Sequence, residues 1–94
     1  MNNKEMIVIN AIARAKNQGV CFGENTPSFR PEYTSQKERF HITILTNTSS
    51  NTSGQASIDQ HFDVLNDYNE TALANILIDI FNALNITEKA ERIK

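Results

Sequence analysis

The sequence predicts an α+β fold of order α-β-β-β-α-α, with a three-stranded antiparallel sheet and its helices packed on one face. Three observations predict it. Apolar and polar residues alternate along 38–46 and again along 55–65, the period of a half-buried strand. Leu73, Ile76, Leu77, Ile80, Phe81 and Leu84 recur at the spacing of one helix face. A shorter helical pattern over 3–17 stops two residues before Gly19. With 94 residues the chain reads as a single domain, 1–94.

In chain order, Asn2 or Asn3 is placed to cap the first helix, and Gly19 stands where a helix commonly ends in left-handed backbone. Ile9, Ile12, Ala13 and Lys16 form its stripe, with Met6, Val8 and Ala15 beside it. The alanine-rich continuation favours helix over strand for the run that starts at Met6. Val20-Cys21-Phe22 is the expected first strand. Residues 23–36 are expected to be an irregular loop, because Gly23, Pro27 and Pro31 interrupt regular structure. Phe29 and Tyr33 lie in it. They read either as partner-contacting aromatics or as rings folded back over a small core.

Phe40, Ile42 and Ile44 are the inward set of the next strand, and Ala56, Ile58, Gln60, Phe62 and Val64 that of the last. A polar hairpin loop over 46–54 joins them. Pairing positions that sum to 102 sets Phe40 opposite Phe62, Ile42 opposite Gln60 and Ile44 opposite Ile58. The other face then pairs Arg39 with Asp63, His41 with His61 and Thr43 with Asp59. A shift by two, with Ile42 opposite Phe62, keeps the same faces. A one-residue slip turns the apolar set outward, so parity is the stronger expectation.

Asp67 with Glu70 three residues later reads as a capping box for a helix running to about Asn85. Asn75, Asp79 and Asn82 mark its polar side. Ala74 and Ile78 widen its apolar stripe. Thr87 is expected to cap a short last helix through about Ile93.

Net charge is −2, but the charge is unevenly distributed. Residues 1–39 carry six basic and four acidic groups, whereas residues 40–87 carry five acids and no Lys or Arg. An acidic middle argues against nucleic-acid binding through that half. The lone Cys21 cannot pair within the chain, no secretion signal is legible, and no stretch is long enough to span a bilayer. A cytoplasmic location and no membrane contact are therefore expected.

Chemistry is sparsely signalled. His41, His61, Asp59 and Asp63 share the polar strand face, which suggests a metal, but strand neighbours on one face stand about 7 Å apart, wide for one ion. No nucleophile elbow, phosphate loop or dinucleotide fingerprint occurs. The expectation is a non-enzymatic protein-interaction module with no cofactor and no metal. Asp59, Asp63, Asp67 and Glu70, together with Phe29 and Tyr33, are the expected contacts to a basic protein partner. Ala74, Ile78 and Phe81 are the expected seam of a homodimer.

The order α-β-β-β-α resembles the double-stranded RNA-binding domain. Here, however, Asp67-Tyr68-Asn69-Glu70 opens the helix where that family carries lysines, so the resemblance does not imply RNA binding. With the last helix, the order and the acidic block Asp59–Asp79 resemble small phage anti-CRISPR proteins. That resemblance implies an acidic inhibitor acting in the host cytoplasm, with Asp59, Asp63, Asp67 and Glu70 facing a nucleic-acid-binding protein.

Overall fold

The computed structural model describes residues 3–30, 38–46, 54–85 and 89–94. It is an α+β fold with the element order α-β-β-β-β-α. Helix α1 spans Asn3–Asn17. Strands β1 (Cys21–Phe22), β2 (Ser28–Arg30), β3 (Arg39–Leu45) and β4 (Gln55–His61) form one antiparallel sheet. A 3-10 helix, Phe62–Asp67, leads into α2, Glu70–Leu84. No described helix is long and apolar enough to cross a membrane.

Helix α1 ends as its sequence predicts. Gly19 has φ +106°, Val20 N–H donates to Ala15 O at 3.1 Å, and Gly19 N–H donates to Lys16 O at 3.0 Å. These two bonds satisfy carbonyls the helix would otherwise leave open. Asn3 is the first helical residue, and Asn2 lies outside the described residues.

The expected irregular loop contains a strand. β1 and β2 both pair with β3, on the edge opposite β4. The three expected rows are therefore present, with the first row broken in two. At the break, Gly23 N–H donates to Thr43 O at 2.9 Å, and the Thr26 hydroxyl accepts from Thr43 N–H at 3.2 Å. A side chain thus replaces a missing ladder carbonyl. Any Cβ at Gly23 would come within 3.2 Å of the Thr43 Cβ, which accounts for glycine at this close approach.

The parity of the β3–β4 pair is as expected, but the register is shifted. Phe40 faces Gln60, Ile42 faces Ile58, Ile44 faces Ala56, Arg39 faces His61 and His41 faces Asp59. β4 also stops at His61 rather than continuing to Leu65. The cause is local: Phe62 and Leu65, three apart, share a face of the 3-10 helix and are both buried, while Val64 turns outward. Phe62 still meets Phe40, with ring centroids 5.7 Å apart and 14° between planes. Of the hairpin loop, only Thr46 and Gly54 are described, joined by a 3.0 Å bond from Thr46 N–H to Gly54 O; residues 47–53 lie outside.

The cap of helix α2 lies two residues after Asp67. The N-cap is Asn69, whose side chain accepts from Ala72 N–H at 2.7 Å, so Glu70 is the first helical residue rather than the end of a capping box. Asn85 ends the helix as expected. The short last helix is absent: residues 89–94 are non-helical, and Thr87 lies outside the described residues. Instead this segment lies along α2. Asn82 donates to Ala90 O and accepts from Ala90 N–H, and Asn75 does the same with Ile93.

The core joins Val8, Ala11, Ile12 and Ala15 of α1 to Phe40, Ile42 and Ile44 of β3 and to the apolar stripe of α2. Both helices take part in it, on the sheet face that carries these residues. Ala74 and Ile78 are 0% exposed and Phe81 is 1% exposed. The expected dimer seam is thus already filled from within the chain, by α1 and by Ala90 and Ile93 of the C-terminal segment.

Candidate functional site

Two regions position side chains that could act: the polar face of the sheet and a groove beside β4. On the polar face, Arg39 is the hub. Its Nε donates to Asp59 Oδ1 at 2.7 Å, one terminal nitrogen to Asp59 O at 3.1 Å, and the other to His61 Nε2 at 2.8 Å. Guanidinium only donates, so His61 Nε2 is the acceptor of this bond. His41 Nδ1 lies 3.6 Å from Asp59 Oδ2, and His41 Nε2 lies 3.3 Å from Thr43 Oγ1. The hydrogen bond from Arg39, with the charges of Arg39 and Arg30 nearby, holds the Asp59 carboxyl below the usual carboxylate range.

This arrangement is poorly suited to a metal. The shifted register places the Arg39 cation beside His61 and sets His41 opposite Asp59 instead of His61. Among the described residues, no three His, Cys, Asp or Glu side chains converge where an ion could sit. A polar hollow of about 390 Å³ opens over His41, Thr43 and the 23–26 bend. The Thr26 and Thr43 hydroxyls that line it are engaged in the bonds described above. Cys21 is half-buried, and its thiol faces Gly19 O at 4.0 Å.

Folding also redistributes the acidic block. Arginines from the flanking sequence close onto it: Arg39 on Asp59 at 2.7 Å, Arg14 on Glu70 at 3.5 Å, and Arg92 on Asp79 at 2.8 Å. Arg14 also donates to the Thr71 hydroxyl. Two of the expected partner contacts, Asp59 and Glu70, thus pair within the chain. Asp63 and Asp67 stand exposed on the 3-10 helix. Phe29 is half-buried on β2 with its ring 5.7 Å from that of Phe62, so it covers the core. Tyr33 lies outside the described residues.

The groove is the feature that sequence reading missed. It has a volume of about 400 Å³. Phe40, Ile58 and Gln60 come from the sheet, Leu73, Ile76 and Ile80 from α2, and Val64, Leu65 and Tyr68 from the 3-10 helix and the turn after it. Among the described residues no charged side chain lines it. Val64 and Tyr68 are 37% and 41% exposed, two of the most exposed large apolar side chains described. Asp67 follows Val64 by one 3-10 turn and so lies on the same side of that helix. The signal in the sequence was the run Val64-Leu65, which cannot both face inward from one strand.

No family model matches the chain, and neither curated proteins nor solved structures give a match.

Proposed function

We propose that the chain is a non-enzymatic protein-interaction module, an inhibitor or regulator that grips a partner through the groove between α2 and β4. The observation that carries this reading is the apolar groove with exposed Val64 and Tyr68 at its mouth and Asp67 beside it. An apolar cleft edged by charge is the usual anatomy of an interface: an apolar centre supplies affinity, and the rim supplies selection. Tyrosine is favoured at such centres because it combines large contact area with few rotatable bonds. The fitting partner segment is apolar with Lys or Arg beside it.

The experiment compares proteins captured by the wild-type chain and by Tyr68→Lys, followed by affinity measurement on the purified partner. The reading expects a partner lost on substitution, with affinity falling at least about tenfold and weakening with salt. Identical capture by both chains would contradict it.

A further inference from the structure

We infer that the partner segment adds to the sheet as a strand on the open edge of β4, with alternate side chains entering the groove. This rests on the interaction reading above. It follows from how differently the two edges of the sheet are built. The β1/β2 edge consists of strands of two and three residues, separated by a break whose ladder bond is supplied by the Thr26 side chain. Such an edge is a poor template. β4 runs seven residues in unbroken register and holds no proline, lysine or bulge, and its one charged residue, Asp59, is paired with Arg39. Those are the devices by which sheet edges are normally blunted.

The ladder shows which backbone groups are available. Thr46 N–H donates to Gly54 O and Phe62 N–H donates to Glu38 O, which makes the even-numbered residues of β4 the ones bonded to β3. The amides and carbonyls of Gln55, Ser57, Asp59 and His61 therefore point to the outer edge. Of these, the Asp59 carbonyl accepts from Arg39 at 3.1 Å. Among the described residues β4 pairs with β3 alone. Strands lie about 4.8 Å apart, so the inward side chains of an added segment would stand beside Ile58 and Gln60, at the groove. Main-chain bonds then give affinity and the groove selects alternate apolar side chains. The exposed acid Asp67, on the same side of the 3-10 helix as Val64, selects Lys or Arg at the flank.

The test uses the full chain to select from displayed random dodecapeptides, with Val64→Lys and Ser57→Pro chains run in parallel. Ser57 is exposed and its amide points away from β3, so proline there removes an edge donor without breaking the β3–β4 ladder. The expected result is peptides with apolar residues at every second position and a basic flank. Their affinity should fall at least about tenfold on Ser57→Pro, on Val64→Lys, and on N-methylation of alternate peptide amides. N-methylation keeps the test independent of whether Ser57→Pro folds. Peptides with apolar residues three and four apart, insensitive to N-methylation, would overturn strand addition and leave the interaction module standing. Peptides that bind Val64→Lys as well as wild type would overturn both. Sedimentation showing a wild-type dimer that Ser57→Pro dissociates would assign the edge to a second copy and overturn the proposal.

Discussion

Asn75 and Ile93 exchange two hydrogen bonds, Nδ2 to Ile93 O at 2.8 Å and Ile93 N–H to Oδ1 at 2.6 Å. Asn82 makes the same pair with Ala90 at 2.8 and 2.7 Å. Each carboxamide presents a donor and an acceptor side by side, as a neighbouring strand would. The spacing matches: seven helical residues rise about 10.5 Å, and three extended residues span about 10 Å. The segment thus runs antiparallel to α2, and Arg92 meets Asp79 between the two clamps.

Replacing Asn75 with Ala should therefore release the segment. Asn75 is 8% exposed, so both lost bonds come from a largely buried site. The expected destabilisation is about 1–3 kcal/mol by chemical denaturation. Amide exchange should accelerate at Ile93 before it does in β3. Unchanged exchange at Ile93 would contradict the clamp.

The start of α2 separates two candidate caps. Asn69→Ala should cost about 1 kcal/mol, because Ala72 N–H loses its acceptor. Asp67→Ala should cost far less, since its side chain does not cap the helix. Thermal melts of the two variants check the ordering.

Gly19→Ala should destabilise by about 1 kcal/mol through backbone conformation alone. A Cβ there meets nothing within 4 Å, so φ +106° is the only obstacle. Asn, which tolerates left-handed backbone, should recover part of the loss in the same melts.

Asp59 gives the pH prediction. Its pKa is lowered in the folded chain, chiefly by the hydrogen bond from Arg39. Its contribution is present above the ordinary carboxylate value of 3.8 and is lost as pH falls through the lowered folded value. Wild type and Asp59→Asn should therefore differ in stability at neutral pH and converge in acid. A gap that persists undiminished below the lowered folded value would assign the difference to packing.

The two longest regular patterns were legible because their periods are unambiguous. The stripe from Leu73 to Leu84 lies in one helix, and Phe40, Ile42 and Ile44 all face inward. Features set by tertiary partners were not. β2 has only three residues and exists because β3 offers it a ladder. Phe62 fits both a strand with Val64 and a 3-10 turn with Leu65, and the turn prevails. Asn75 and Asn82 look like a solvated helix face, although asparagine is a poor helix former and its use there signals another task. The acidic block is less acidic in space than along the chain, because Arg39, Arg14 and Arg92 reach Asp59, Glu70 and Asp79.

Methyl and amide chemical-shift mapping of the partner-bound chain shows whether the groove is the docking surface. Docking there should concentrate the shifts at Ile58, Val64, Tyr68, Ile76 and Ile80, with the amides of Ser57 and His61 at the β4 edge. Shifts centred instead on His41, Thr43 and the 23–26 bend, with these residues unmoved, would contradict it.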